Sequence, residues 1–212
     1  MDVFSRLGAP DGSAGRFGGV AMAIVTNNKD PDGLGRVKVK LPWLGDAVES
    51  DWARVVTPMA GKERGLYCLP EVDDEVLVAY EHGRPDSPYV LGGLWNGKDK
   101  PPESNADGKN DVRALKSRSG HVIRLTDKSG AEMIEIVDKS GKNSIVISTK
   151  DNTITIAADA DITVKSTNGK LALSGKDVEV KAQGAVKIEA AQNLDLKANA
   201  QLNVKGQMVN IN

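Results

Sequence analysis

Few side chains in this chain have the chemistry of a nucleophile, a general base or a metal ligand. The two histidines, His82 and His121, lie far apart, and neither belongs to a motif with a serine or cysteine partner. The single cysteine, Cys68, excludes an internal disulfide, and we expect it to be a buried core thiol. The sequence therefore predicts no catalytic residue and no enzyme.

Two acidic segments are the remaining candidates for ion binding. Asp30, Asp32 and Gly33 resemble the start of a calcium loop, but neither a third acidic ligand nor a closing glutamate follows at the required spacing. Residues 73–75 are all acidic and adjoin a predicted strand, which is typical of a solvated loop and only occasionally of a metal or partner contact. We predict a plain turn at the first segment, and no metal and no cofactor.

Short runs of alternating residues predict the elements that would position any site. Turn formers separate these runs at 30–33, 69–71 and 83–88, and no helix of useful length is indicated. We therefore expect an all-β protein whose first half is an antiparallel meander or Greek-key barrel of the OB-fold type. The five predicted strands are 20–26, 35–41, 52–57, 75–80 and 89–95.

The second half repeats one unit, an apolar residue, any residue and a second apolar residue. Alternation places both apolar side chains on one face of a strand, so the recurrence predicts a stack of short strands. Successive pairs begin 11, 11, 9, 8, 9, 7, 8, 8, 8 and 7 residues apart. The pairs are Ile123/Leu125, Ile134/Ile136, Ile145/Ile147, Ile154/Ile156, Ile162/Val164, Leu171/Leu173, Val178/Val180, Val186/Ile188, Leu194/Leu196, Leu202/Val204 and Val209/Ile211.

A change in composition separates the two halves. All eight aromatic residues and all nine prolines lie at or before position 102. A core without aromatic side chains must be thin, and the absence of proline suits continuous ladder pairing. Residues 127–130 and 138–141 are the same turn, Asp-Lys-Ser-Gly. The predicted organisation is a flexible leader at 1–19 as a candidate docking segment, a barrel at 20–97, a linker at 98–118 and the repeat at 119–212.

Length and charge exclude several classes of protein. The 212 residues carry a net charge of -1, which gives no general attraction to nucleic acid or anionic membranes. No apolar run approaches the roughly 18 residues of a membrane span. The first residues lack a basic segment followed by an apolar run, so we expect no signal peptide and synthesis in the cytoplasm. Any passage outside the cell would then depend on a larger machine.

Four segments carry a family resemblance: DPDGLGRVKVKLPWL, DWARVVTPMAG, GLYCLPEVDDEVLVAYEHGRPDSPYVLGGLWNGKDKPP and SGHVIRLTDKSGAEMIEIVDKSG. In order and content, the chain from about residue 20 to 212 resembles the baseplate spikes of contractile injection machines, a family that includes phage baseplate assembly protein V and VgrG-type spikes. The resemblance implies an OB-fold collar and a trimeric, triple-stranded β-helical needle, placed centrally on a baseplate beneath a hub. No lysozyme-like insertion follows the barrel and no hub domain precedes it in this sequence. We therefore expect a separate hub protein at the N-terminal side, unless the sequence is part of a longer chain that carries the hub itself.

The repeat itself also favours a homotrimer. In a needle of three chains, both apolar residues of each pair would point to the shared axis, and intertwining would hide the strand edges. The alternative is a single-chain solenoid with three octads per coil, but roughly 90 residues would make fewer than four coils with two uncapped ends. The predicted trimer core consists of Ile145, Ile147, Ile154, Ile156, Ile162, Val164, Leu171, Leu173, Val178, Val180, Val186, Ile188, Leu194, Leu196, Leu202 and Val204.

The end of the repeat predicts a further partner. Family members that sharpen their own point close it with a His-x-His pair, three copies of which hold iron, and this chain has no histidine there. A repeat running to the last residue exposes apolar side chains and unpaired strand groups. We expect a separate PAAR-type tip protein to bind Val209, Ile211 and Asn212, with any metal belonging to the tip protein.

The predicted function is mechanical: a spike assembled into the baseplate of a virion or injection particle, which pierces the target envelope and contacts its membrane transiently. Two alternatives remain. An OB module could stack nucleic-acid bases on Trp43, Trp52 and Trp95, although residues 1–102 carry 12 basic against 15 acidic residues. A fibre that binds or cleaves glycans would need paired carboxylates in a groove, whereas the acidic residues of the repeat are scattered. The kind of machine and the target cell stay open.

Overall fold

The computed structural model describes residues 18–44, 48–84 and 86–210, and it is built from twelve strands. The chain divides into two units, one ending at Ala160 and the other beginning at Asp161. In the described ranges, helical structure is limited to short 3-10 turns such as Pro42–Leu44, and no helix is long and apolar enough to span a bilayer. The predicted all-β class is therefore confirmed.

Five strands of the first half form a barrel. They pair in the order β2-β1-β6-β7-β3, with β3 parallel to β7 and the other neighbours antiparallel. An antiparallel bridge between Val37 and Ala53 joins the two ends of this order and closes the ring. The strands are β1 (Val20–Asn27), β2 (Lys38–Lys40), β3 (Arg54–Val55), β6 (Glu75–Tyr80) and β7 (Pro88–Gly93), and a hairpin of β4 (Ala60–Gly61) and β5 (Arg64–Gly65) lies between β3 and β6. All five predicted strands are present, and the second and third are shorter than predicted.

Small aliphatic side chains fill the barrel, as five short strands with a narrow interior require. The buried hydrophobic residues are Ala23, Val25, Val37, Val39, Leu41, Ala53, Val76, Val78 and Val90. Cys68 does not join them, because it is exposed on the segment that follows β5. Its neighbours Leu66 and Tyr67 are exposed as well. The prediction of a buried thiol is wrong because this segment leaves the ladder before reaching the core.

Five more strands form a second, fully antiparallel sheet in the order β12-β11-β10-β9-β8. They are β8 (Val112–Lys116), β9 (Val122–Thr126), β10 (Met133–Val137), β11 (Ser144–Ser148) and β12 (Thr153–Ala157). The predicted linker at 98–118 thus contains a strand, β8. Each strand is joined to the next by a short loop that reverses the chain, so the sheet is a meander.

The repeated Asp-Lys-Ser-Gly turn has the same backbone conformation in both copies. Gly130 and Gly141 both have a φ of 74°, in the left-handed region that residues with a Cβ rarely adopt. In the second copy the Asp138 carboxylate accepts hydrogen bonds from Ser140 and Asn143. The hydrogen bond from the Ser140 hydroxyl is the main cause that lowers the pKa of Asp138 to about 2.

The unit that begins at Asp161 has a different local structure. Between residues 161 and 210, all of which are described, the chain forms no strand of its own. Its backbone instead bends after each apolar pair, and the bends lie at 167–169, 176–177, 183–184, 191–192, 199–200 and 207. The period of the repeat is therefore visible in the backbone. The triple-stranded β-helix stays a prediction.

Candidate functional site

The meander β8–β12 collects the apolar residues of the repeat on one face. Ile136 of β10 lies opposite Ile123 of β9 and Ile145 of β11, and Ile145 lies opposite Ile156 of β12. Ile134 likewise lies opposite Leu125 and Ile147, and Ile147 lies opposite Ile154. The result is two columns of side chains across the sheet: Ile123, Ile136, Ile145 and Ile156 in one, and Leu125, Ile134, Ile147 and Ile154 in the other.

These two columns, which we call the apolar face, are open in the single chain. Their residues are exposed by 38% for Ile147 to 70% for Ile154. Scattered exposed aliphatic residues are normal, but eight in contiguous columns mark a surface that contacts other apolar surface. The face carries no charge between β9 and β12, so covering it would desolvate no ion.

The opposite face of the same sheet is the more covered of the two, although it carries ions. Arg124 donates a hydrogen bond of 3.0 Å from Nη2 to Glu103 Oε1, and its Nη1 lies 3.6 Å from Glu135 Oε2. Met133 and Val146 on this face are half-buried. A free-standing sheet would cover its aliphatic side and leave its ionic side in water. In this sheet the arrangement is reversed, and the apolar face is the more exposed of the two.

The predicted core residues after Asp161 continue the pattern without a sheet of their own. Residues Ile162, Val164, Leu171, Leu173, Val178, Val180, Val186, Ile188, Leu194, Leu196, Leu202 and Val204 are exposed by 54–77%. They lie on seven-to-nine-residue units separated by the bends. Of the predicted tip-binding residues, Val209 is exposed, whereas Ile211 and Asn212 lie outside the described residues.

The structure adds residues to the face that the predicted core omitted. The first two repeat pairs, Ile123/Leu125 and Ile134/Ile136, belong to the same columns as Ile145 and Ile147. Leu115 of β8 lies opposite Ile123 and extends one column. The repeat pattern does not include Leu115, because β8 places a single aliphatic residue on this face, with Arg113 at the other position.

In the barrel, the segment that resembled a calcium loop is a turn closed by an ion pair. The Asp30 carboxylate accepts hydrogen bonds from Arg36 Nε at 2.9 Å and Nη2 at 2.8 Å, and also from the backbone N–H groups of Asp32, Leu34 and Arg36. The Arg36 guanidinium is the main cause that holds the pKa of Asp30 well below its usual range. With its side chain only 3% exposed and its oxygens engaged, Asp30 is a structural residue.

Three further candidate groups, His121, Asp74 and Glu75, also have structural partners. His121 Nδ1 accepts a hydrogen bond of 3.2 Å from the backbone N–H of Lys139. In the acidic run 73–75, Asp74 accepts one from the backbone N–H of Glu71, and Glu75 accepts one from the Asn96 amide. Within the described ranges, no group of three or more His, Cys, Asp or Glu side chains is placed to hold a metal ion.

Two of the three tryptophans, Trp52 and Trp95, contribute to different surface depressions. Trp52 lies in a surface depression with Tyr89, whereas Trp95 lies in another with Pro101. The ring of Trp52 also has the Arg36 guanidinium at 6.0 Å and the Lys38 ammonium at 5.6 Å from its centroid. This arrangement offers no continuous stacking surface from Trp52 to Trp95.

The sequence comparisons connect the barrel to a known domain. Residues 21–95 match the family model of the type VI secretion system/phage-baseplate injector OB domain. The match coincides with strands β1–β7. The closed five-stranded ring is therefore an OB domain, as predicted.

Curated relatives carry the comparison further. The chain is 33% identical over 113 residues to the type VI secretion system spike protein VgrG1a of Pseudomonas aeruginosa, and 30% identical over 109 residues to the spike protein VgrG3 of Vibrio cholerae. It is also 29% identical over 109 residues to a V. cholerae protein named actin cross-linking toxin VgrG1. Each match covers 48% of this chain, but only 17%, 11% and 10% of the respective relatives. The predicted resemblance to VgrG-type spikes is confirmed.

Proposed function

We propose that three copies of this chain, each with an injector OB domain at 21–95, form the central spike of a contractile injection machine. The observation that carries the proposal is the apolar face of β9–β12, which follows the OB domain in the chain and stays open in the single chain. A face of this kind is stable in water only when other apolar surface covers it.

Two further copies of the same chain would supply that cover. A threefold axis brings three equivalent faces together, so Ile136 and Ile145 of each copy would meet those of the other two. Within the described residues, the units after Asp161 have no ladder partners in their own chain, and we infer that they pair with strands of the other copies. Eleven strand layers about 4.8 Å apart would give a needle roughly 50 Å long.

The proposed role of this needle is mechanical. A narrow rod whose strands are hydrogen-bonded across three chains is stiff along its axis and has no lateral sheet edges. When a sheath contracts and drives an inner tube forward, such a rod would concentrate the force on a small area of the target envelope. This task needs no reacting side chain in the spike, whose contact with the target membrane would be transient.

Two protein partners complete the proposal. The OB domain would face a hub protein, with residues 1–19 as a docking segment. The far end of the repeat, which includes Val209, would bind a PAAR-type tip protein. Deleting residues 2–19 should leave the trimer intact and weaken its incorporation into baseplates. If the deletion dissociates the trimer and leaves hub binding unchanged, the segment belongs to the trimer interface instead.

A mass measurement on the purified chain tests the assembly. Light scattering and native mass spectrometry should give three times the chain mass of 22.5 kDa at every concentration at which the protein is folded. Electron microscopy of the same sample should show a short rod attached to a wider head. A folded, soluble species of 22.5 kDa would overturn the proposed function.

A further inference from the structure

In the units after Asp161, most charged residues alternate along the chain with the members of the apolar pairs. In each unit, the leading residue precedes the apolar pair, the middle residue lies between its two members, and the trailing residue follows it. In an extended strand, alternation places these three residues on the side opposite the apolar pair, which we call the outer side. Glu179 (middle) and Lys181 (trailing) form an ion pair of 2.6 Å. Lys187 (middle) and Glu189 (trailing) form another of 2.6 Å in the next unit, with the signs exchanged.

The charge reverses from one unit to the next at the leading, middle and trailing positions alike. Each position holds three successive charged residues whose sign reverses from one unit to the next, and together these rows contain nine of the twelve charged residues between 161 and 210. The leading row is Asp161, Lys170 and Asp177; the middle row is Glu179, Lys187 and Asp195; the trailing row is Lys181, Glu189 and Lys197.

We propose that these alternating rows set the register in which three copies of the chain intertwine, an inference that rests on the threefold assembly proposed above. If each unit rises by one strand spacing, about 4.8 Å, a unit of one copy lies directly beside the next unit of a neighbouring copy. Glu179 of one copy then neighbours Lys187 of the second, which neighbours Asp195 of the third. Each row becomes a ladder of opposite charges that crosses chain boundaries.

Other registers lose this complementarity. A slip that pairs each unit with the next but one places Glu179 beside Asp195 and Lys181 beside Lys197, and like charges directly opposite destabilise a sheet. A single-chain coil of three units places Glu179 beside Asn203, so the middle row loses its partners. A one-chain antiparallel meander like β9–β12 would keep the middle row but place Asp177 beside Glu189. Of these arrangements, the one-unit offset of intertwined chains is the one that uses the reversal of sign in all three rows. In that register the rows hold one like-charged contact, Lys197 beside Lys205.

A charge swap within one unit tests the register without changing the net charge. The double variant Lys187→Glu and Glu189→Lys keeps the ion pair inside its unit but makes the middle row wholly negative and the trailing row wholly positive. Adding Glu179→Lys, Lys181→Glu, Asp195→Lys and Lys197→Glu restores alternation in the middle and trailing rows, with every sign in these two rows reversed. This six-substitution variant is the matched control, because it contains the double swap.

The readout is the rate at which purified trimers dissociate in detergent at raised temperature, measured at low and high salt. Exposed cross-strand charge contacts contribute little each, but four per copy change together, so the double swap should speed dissociation about tenfold or more. The six-substitution variant should return to within about twofold of wild type. At about 1 M salt, where the Debye length is about 3 Å, the difference between wild type and the double swap should shrink.

The outcomes separate this inference from the function on which it rests. A monomeric wild-type protein overturns the threefold assembly itself. A wild-type trimer whose double swap dissociates at the wild-type rate leaves the assembly standing and overturns the charge register. The proposed charge register is also overturned if the six-substitution variant dissociates as fast as the double swap. Stability would then depend on which residue stands at each position and not on the alternation of charge.

Discussion

Ile136 of β10 lies directly opposite Ile145 of β11 in antiparallel register, yet the two residues are still 48% and 41% exposed. A cross-strand aliphatic pair stabilises a sheet by covering both side chains, and here it covers them only in part. The meander is therefore held by its backbone ladders and turns, while its apolar face remains exposed. Substitutions on this face should affect association more than local structure.

Replacing Ile162 and Val164 with aspartate should prevent assembly. Six carboxylates would then lie near one axis in the trimer, where desolvation and mutual repulsion make burial too costly. Size-exclusion chromatography with light scattering should show monomers or aggregates in place of trimers. Thr163→Asp is the matched control, since Thr163 occupies the outer side of the same unit and should leave the trimer intact. A trimeric double variant would show that this pair does not face the axis.

The OB domain should respond to core truncation independently of assembly. Val76→Ala removes two methyl groups at a fully buried position and should lower the free energy of unfolding by about 1–3 kcal/mol. Val20→Ala, at an exposed position of β1, should change it by less than about 0.5 kcal/mol. All three tryptophans lie in the first half of the chain, so denaturation followed by tryptophan fluorescence reports on this domain. Equal effects of the two variants would contradict the assigned core.

The Asp30–Arg36 ion pair should make the OB domain sensitive to acid. Because the pKa of Asp30 is lowered in the folded state, the ion pair stabilises the fold above the unfolded pKa of about 3.9. That stabilisation is lost as the pH falls from there toward the lowered pKa. Asp30→Asn should therefore lower the melting temperature at pH 7, and the gap to wild type should narrow below about pH 4.

Asp32→Asn is the control for this experiment. Asp32 also contacts Arg36, at 2.6 Å, but its side chain is 67% exposed, and an exposed ion pair contributes little. We expect a small change in melting temperature at pH 7. A gap between wild type and Asp30→Asn that stays constant down to about pH 2 would show that ionisation of Asp30 does not contribute to stability.

The sequence predicted the barrel strands and the apolar pairs because both follow from alternation, a local property. It did not predict β8, since Leu115 is the only aliphatic residue that β8 places on the apolar face. The exposure of Cys68 was also missed, because burial depends on where the segment after β5 leaves the barrel and not on residue type. The opposite charges of Lys187 and Glu179 can be read from the sequence. Whether these charges attract each other depends on which strand layers lie side by side, and that is a property of the assembly.

The turn between β10 and β11 should tolerate no ordinary side chain at Gly141. Its φ of 74° lies in the left-handed region, while a Cβ at this position would meet no atom within 4 Å. The cost of Gly141→Ala is therefore backbone strain, about 1–2 kcal/mol per copy. Gly141→Asn should cost less, because asparagine adopts this conformation more readily. Gly92→Ala in β7 also enters open space but at an ordinary φ, and should be neutral or slightly stabilising. Thermal unfolding followed by circular dichroism should give the highest melting temperature for Gly92→Ala, a lower one for Gly141→Asn and the lowest for Gly141→Ala. A melting temperature of Gly141→Ala equal to that of wild type would show that this turn is not left-handed.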